Sequence, residues 1–103
     1  MSSVSPSTAL ERDRDAIRAT LAKHGVERAG VFGSVARGED APGSDLDLIV
    51  AFSPGARRDV VAITEELTTL TGVPVDIVDR DRVLERARRT GVGYRILRDT
   101  VPL

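Results

Sequence analysis

The chain has 103 residues, of which 41% are hydrophobic and 30% charged, and it contains no cysteine. This composition is typical of one globular domain and excludes both a disulfide framework and a thiolate metal site. A formal net charge of −1 excludes the overall basic field that nonspecific nucleic-acid binding requires. No apolar stretch approaches the roughly 20 residues of a membrane span, and no signal peptide is recognisable. We therefore expect a cytoplasmic protein with no membrane or direct nucleic-acid contact.

The first predicted element is an amphipathic helix. Residues 1–7 are small and polar and are expected to be a flexible N-terminus, followed by a single domain over 8–103. Thr8 and Glu11 have the spacing of a capping box, and apolar residues then recur on one helical face. The helix is therefore predicted to run from about 8 to 24.

Two strands are predicted next, with a glycine-rich connection between them. The first covers Val26–Phe32, and the connection 33–43 includes a short helical turn around Val35–Arg37. The second strand, Asp45–Phe52, is apolar on both faces once its aspartates are passed. Burial on both faces is typical of a central strand.

The second half of the chain continues the alternation of helices and strands. We predict a helix over 59–70, a strand over 73–78, a helix from Asp79 or Asp81 to about residue 89, and a helical or irregular end over 94–103. The predicted order is helix, strand, strand, helix, strand, helix. It favours an α/β (α+β) fold in which a small mixed β-sheet is flanked by helices.

Two aspartates open the second strand and carry the strongest functional signal. Residues two apart in a strand face the same side, so Asp45 and Asp47 direct both carboxylates to one spot. Their mutual repulsion is unfavourable unless a cation lies between them. Asp76 is the predicted third carboxylate, because a charge inside an apolar strand is unfavourable unless a partner such as a cation compensates it. Asp79, at the end of the same strand, is instead expected to cap a helix. The alternative for Asp76 is a strand-edge charge open to water.

The loop before these aspartates has the residues of a phosphate site. Gly33 lets the backbone turn tightly and approach an anion, and Ser34 offers a hydroxyl and an amide hydrogen. Arg37 can reach a triphosphate or a pyrophosphate leaving group, although a solvated loop arginine is an equal alternative. Nucleotidyl transfer requires that the reactants be positioned, that the charge of the phosphates be neutralised and that the attacking oxygen be activated. Divalent ions held by carboxylates supply the last two. The pattern therefore predicts a site for Mg²⁺ and a nucleoside triphosphate.

Arginine is concentrated near the end of the chain. Fourteen of the 15 basic residues are arginine, and seven of these lie between Arg80 and Arg98. Genome composition is the simpler explanation of this bias. Contacts with phosphate or with a partner are the alternative, because arginine pairs with such anions through two parallel hydrogen bonds.

The spacing Gly33-Ser34, ten residues, then Asp45-x-Asp47 resembles the signature of the polymerase-beta-like nucleotidyltransferases. The short chain and its run Gly-Ser-Val-Ala-Arg-Gly…Ser-Asp-Leu-Asp-Leu are similar to the minimal nucleotidyltransferase (MNT, MntA-like) branch. The resemblance implies the polymerase-beta-like nucleotidyltransferase fold. It places the family's metal-binding carboxylates at Asp45, Asp47 and Asp76, and its phosphate-binding pair at Gly33 and Ser34.

The resemblance also implies a function. Such proteins are similar to the antitoxin halves of HEPN–MNT toxin–antitoxin pairs, in which ATP and Mg²⁺ are used to attach AMP to a tyrosine hydroxyl of the HEPN ribonuclease. This chain is then expected to be an adenylyltransferase with ATP as nucleotide donor and a HEPN-type toxin as partner. Because the short sheet has edges to cover, we also expect it to form a homo- or hetero-oligomer.

Two other functions remain open. The chain can be a binding-only antitoxin that neutralises its partner by complex formation. It can also be a small-molecule nucleotidyltransferase of the antibiotic-modifying kind, although the resemblance implies that such enzymes carry extra acceptor-binding sequence. Nucleic-acid polymerisation is least favoured, because the net charge is close to zero and no thumb-like domain is recognisable.

Overall fold

The computed structural model describes residues 4–103, and its centre is a four-stranded mixed sheet. The strand order is β3-β2-β1-β4; β2 pairs with β3 in parallel, and β1 pairs antiparallel with both β2 and β4. The elements are α1 Pro6–Lys23, β1 Val26–Phe32, α2 Gly33–Ala36, β2 Leu46–Phe52, α3 Val60–Thr71, β3 Val75–Asp79, α4 Arg80–Thr90, α5 Tyr94–Asp99 and β4 Val101–Pro102. The predicted fold class, a small mixed sheet flanked by helices, is confirmed. Within residues 4–103, no helix is both long enough and apolar enough to cross a membrane.

Helix α1 begins two residues earlier than the sequence analysis predicts. Ser5 is the N-cap, and its hydroxyl accepts a hydrogen bond from the backbone N–H of Thr8 at 3.3 Å. Pro6 occupies the first helical turn, where its fixed φ and missing N–H suit the helix. The capping box predicted at Thr8 and Glu11 is therefore wrong. Residues 1–3 of the predicted flexible N-terminus lie outside the described residues, and the domain limits stay a prediction.

The hydrophobic core lies between one face of the sheet and helices α1 and α3. Strand β2 is central, as predicted, and every second side chain along it is buried in this core. Burial of each such side chain contributes roughly 1.5–3 kcal/mol. The buried contacts join Leu46, Leu48, Val50 and Phe52 of β2 to Ile17 and Leu21 of α1 and to Ile63 and Leu67 of α3. The opposite face of β2 carries Asp47, and this face holds the candidate site.

Charged side chains also join α1 to α3 at the surface. The two carboxylate oxygens of Glu66 accept hydrogen bonds from Lys23 Nζ at 2.8 Å and from His24 Nε2 at 3.0 Å. These two contacts lower the pKa of the Glu66 carboxyl. Because all three groups are at least partly exposed to solvent, the contribution to stability is small.

A buried carboxylate connects β3 to α4. Asp79, which is 5% exposed, caps α4 by accepting the backbone N–H of Asp81 at 2.9 Å. This confirms the prediction that Asp79 caps a helix. Its other oxygen accepts Arg58 Nη1 at 2.8 Å, while Arg58 Nη2 donates to Asp81 at 3.0 Å. The guanidinium of Arg58 also lies 5.6 Å from the centre of the Phe52 ring.

Strand β2 begins at Leu46, one residue later than predicted, so Asp45 lies before the strand, and two other segments also differ from the sequence prediction. Helix α2 starts at Gly33 itself, whereas the helical turn was predicted around Val35–Arg37. The end of the chain is not only helical, because Val101 and Pro102 form β4 and pair with Val31 and Gly30 of β1. The strand was not predicted because two residues, one of them proline, have no alternating pattern to recognise.

Candidate active site

Strand pairing brings Asp47 beside Asp76 and close to Gly33. In the register of the sheet, Asp47 pairs with Asp76 on β3 and with Phe32 at the end of β1. Neighbouring strands are about 4.8 Å apart, and paired residues project from the same face of the sheet. The register therefore places the Asp47 and Asp76 side chains next to each other, and Gly33, the residue after Phe32, begins α2 at the same place.

Charges around Asp47 show which groups are close to it. Its half-buried position raises the pKa of the Asp47 carboxyl, and the negative charges of Asp76 and Asp45 raise that pKa further. The positive charge of Arg37 acts in the opposite direction. Asp76, Asp45 and Arg37 are thus near enough for their charges to act on Asp47.

The exposure of Asp76 corrects one step of the sequence argument. A charge inside an apolar strand predicts a buried Asp76 carboxylate, but the Asp76 side chain is exposed. Strand β3 lies at the edge of the sheet, so water reaches this carboxylate. The alternative reading, a strand-edge charge open to water, describes its environment, while the register places it beside Asp47. Asp45 is also exposed and lies just before β2, so the predicted strand start at Asp45 is wrong and strand alternation does not place Asp45 beside Asp47; its negative charge nevertheless acts on Asp47.

Gly33 packs directly against the Asp47 carboxylate. Its φ is +71°, in the left-handed region that favours glycine. A Cβ at this position would overlap Oδ2 of Asp47 and would lie 3.1 Å from its Cγ. Both the backbone conformation and the space therefore require glycine here.

Ser34 and Arg37 lie on the same short segment as Gly33. Ser34 is partly buried, and its carbonyl oxygen accepts the backbone N–H of Glu39 at 2.8 Å. Arg37 is exposed, and its Nε donates to Glu39 Oε2 at 3.1 Å. Arg37 is therefore a solvated loop arginine whose charge also acts on Asp47, and its contact with a triphosphate or pyrophosphate stays a prediction.

The donor chemistry of the site fits a divalent cation held together with a nucleotide. Within residues 4–103, no three acidic or histidine side chains converge closely enough to enclose a metal ion by themselves. Mg²⁺, however, is commonly held by one or two carboxylates together with substrate phosphates and waters. Burial raises the pKa of Asp47 most, and the repulsion from Asp76 and Asp45 that raises it further is the kind that a bound cation relieves.

Comparisons with known proteins agree with this geometry. Residues 14–101 match the family of the nucleotidyltransferase domain, NTP_transf_2. An assigned protein adenylyltransferase of Methanocaldococcus jannaschii, MJ0435, is 40% identical over 76 residues, which cover 65% of this chain and 82% of that protein. The protein adenylyltransferase MntA of Thermococcus cleftensis is 33% identical over 81 residues, covering 77% of this chain and 76% of MntA.

Solved structures also include proteins with the fold of this chain. A structure assigned as a minimal nucleotidyltransferase is 41% identical and superposes with a TM-score of 0.73, covering 94% of this chain and 95% of that chain. A crystal structure of a toxin–antitoxin with AMP-PNP superposes with a TM-score of 0.58 over 65% of this chain and 56% of that chain. At 21% identity, this second likeness shows the fold alone. The chain therefore belongs to the nucleotidyltransferase domain family, in its MntA-like minimal branch, and is a nucleotidyltransferase enzyme.

Proposed function

We propose that this nucleotidyltransferase is a protein adenylyltransferase that transfers AMP from ATP, with Mg²⁺, to a tyrosine hydroxyl of a HEPN-type toxin and so acts as the antitoxin of the pair. The observation that carries the proposal is the position of the Asp47 carboxylate, which lies between Gly33 on one side and Asp76 on the other. The similarity to MJ0435 and MntA supports protein as the acceptor class.

Three carboxylates have the proposed catalytic roles. Asp45 and Asp47 would hold Mg²⁺ together with substrate phosphates and waters, and Asp76 would complete the ligand set. When bound, the metal neutralises the phosphates and lowers the pKa of the attacking hydroxyl. Asp76 is exposed at the sheet edge, so an acceptor arriving from solvent can reach it. Its carboxylate accepts the proton that the hydroxyl loses.

The segment from Gly33 to Arg37 has the proposed nucleotide-binding roles. Gly33 lets the backbone turn tightly past Asp47 toward the phosphates, and Ser34 donates its hydroxyl and amide hydrogens to the β- and γ-phosphates. The acceptor oxygen attacks the α-phosphorus, and the bond from that phosphorus to the bridging oxygen of the β-phosphate breaks. The products are the AMP ester of the acceptor and pyrophosphate, whose charge Arg37 offsets.

The test is transfer of labelled AMP to the protein encoded by the adjacent gene. Purified chain, Mg²⁺ and α-labelled ATP are incubated with and without that protein, and intact masses are measured. We expect the partner to gain one or more AMP units, and the gain to disappear in Asp45→Asn and Asp47→Asn. Asp15→Asn, an exposed carboxylate on α1, is the matched control and should transfer AMP as the wild type does.

Other outcomes would identify the alternatives. A stable stoichiometric complex without AMP transfer would show a binding-only antitoxin. Transfer to small hydroxylated molecules, but not to the partner, would show a small-molecule nucleotidyltransferase. Unchanged transfer by Asp47→Asn would refute the mechanism itself.

A further inference from the structure

Positive charge is concentrated on the helices that follow β3. Residues 80–98 contain seven arginines and two acidic residues, a net charge of +5, whereas the remaining chain has eight basic and fourteen acidic residues, a net charge of −6. Within residues 4–103, Arg82 and Arg86 of α4 form no ion pair with a carboxylate. Both side chains are exposed, so they present two uncompensated cations to solvent.

These two arginines border a groove of about 300 Å³, which we call the edge groove. Apolar side chains from three elements line it: Val60 of α3, Ile77 and Val78 of β3, and Val83 of α4. The one carboxylate in its lining, Asp79, is buried and already bound by Arg58. The edge groove therefore offers an apolar floor and a positively charged border.

The position of the edge groove connects it to the candidate active site. In residues 4–103, β3 is paired with β2 along one side only, and the edge groove lies at its other side, between α3 and α4. Asp76 immediately precedes Ile77 on β3, and one residue of a strand spans about 3.3 Å. A segment lying in the edge groove therefore reaches the Asp76 carboxylate within one or two residues.

We propose that the edge groove docks an extended acidic segment of the protein acceptor and delivers its hydroxyl to Asp76. This proposal rests on the proposed function, because it assumes that the acceptor is a protein. An extended segment can align with the open edge of β3, as peptides do when they add a strand to a sheet. Apolar side chains of the segment enter the groove, and its carboxylates pair with the two arginines.

The spacing of the two arginines defines the sequence that fits. Arg82 and Arg86 are four residues apart on α4, which places them on one face about 6 Å apart along the helix axis. Residues i and i+2 of an extended segment lie on one side and are about 6.6 Å apart. The segment should therefore carry two acidic residues separated by one apolar residue. A nucleic acid fits less well, because no aromatic side chain lines the groove for base stacking.

The test measures binding in the absence of ATP and Mg²⁺. The probe is a fluorescein-labelled nonapeptide in which Glu alternates with Val and Tyr is the last residue, and a peptide with Lys in place of every Glu is its control. Fluorescence anisotropy should show binding of the Glu peptide to the wild type, and at least tenfold weaker binding to Arg82→Glu/Arg86→Glu. Arg88→Glu is the matched protein control, since Arg88 lies on the same helix outside the groove, and it should bind within twofold of the wild type.

A second variant and a second readout keep the test decisive. Circular dichroism checks folding of each variant, and Arg82→Gln/Arg86→Gln replaces the Glu variant if that variant unfolds. In AMP transfer to the Tyr of the Glu peptide, either double variant should raise KM at least tenfold with little change in kcat. A merely structural role of these arginines would instead lower kcat and the unfolding midpoint.

Four results would overturn the proposal. The first is absence of Glu-peptide binding to the wild type, and the second is an affinity of the wild type for the Lys peptide equal to that for the Glu peptide. The third is a weakening of Glu-peptide binding in Arg88→Glu equal to that in the double variant. The fourth is binding of a labelled oligouridine that is tighter than Glu-peptide binding and is lost in the same double variant. The last result would assign the surface to nucleic acid. Because binding is measured without nucleotide, peptide binding without AMP transfer would contradict the proposed function and leave the docking surface intact.

Discussion

Replacing Gly33 with alanine should damage both folding and catalysis, whereas the same change at Gly38 should affect folding alone. The new Cβ would overlap Oδ2 of Asp47, so the carboxylate must retreat by about 1 Å to restore ordinary van der Waals contact. Gly38 provides a matched control. Its φ is +70°, against +71° at Gly33, but a Cβ there would meet no atom within 4 Å. The two substitutions therefore share the backbone penalty and differ in the contact with Asp47.

The expected magnitudes follow from these two effects. An L-residue in the left-handed region costs about 1–2 kcal/mol, so both variants should lose that much free energy of unfolding. A misplacement of about 1 Å at a reacting centre can reduce the rate about 100-fold, which corresponds to about 2.7 kcal/mol in the activation barrier. Only Gly33→Ala should show this loss.

Urea unfolding and AMP transfer to the acceptor, measured on both variants, test the argument. Gly38→Ala should keep a kcat within about threefold of the wild type, and Gly33→Ala should fall by about two orders of magnitude. Near-wild-type activity of both variants would refute the inference that close packing against Asp47 matters for catalysis. A loss of similar size in both would show that the loop conformation, rather than the carboxylate position, is limiting.

Three further predictions concern stability. In EDTA, Asp47→Asn should melt at a higher temperature than the wild type, because burial and two neighbouring carboxylates disfavour the ionised form of Asp47. Added Mg²⁺ should raise the melting temperature of the wild type but not that of the variant. Ser5→Ala should lower the free energy of unfolding by about 1 kcal/mol, while Thr8→Ala, measured in the same urea series, should change it by less than about half of that. The pKa of Glu66 is lowered from its ordinary value of 4.5 by two basic partners, so Glu66 stabilises the fold above that pH. The melting-temperature advantage over Glu66→Gln should therefore be lost as pH falls through the lowered pKa, and an advantage that persists at about pH 2 would contradict this.

The elements that the sequence predicts well are those with dense local signals. Strand β2 is recognisable because apolar residues continue on both of its faces after the aspartates, and it is central in the sheet. Helices α3 and α4 are recognisable because a capping aspartate opens each one and a left-handed glycine closes it. In these segments the local preference and the tertiary packing agree.

What the sequence predicts less well depends on contacts between distant residues. Asp76 lies beside Asp47 because β3 joins β2 in one particular register, and the sequence around Asp76 contains no trace of that register. Strand β4 forms only because the edge of β1 that does not pair with β2 is free to pair with it at Gly30 and Val31. The edge groove likewise comes from three separate elements and has no sequence motif of its own.

The contacts of Arg58 have a consequence for how a partner would bind. This one guanidinium connects the segment before α3 to Asp79 and Asp81 at the start of α4. The two helices that flank the edge groove are therefore joined to each other before any segment enters it. Docking then requires little rearrangement of this chain, so most of the conformational entropy lost is that of the incoming segment. Differences in affinity among acceptors should accordingly appear in their dissociation rates, with association rates nearly constant.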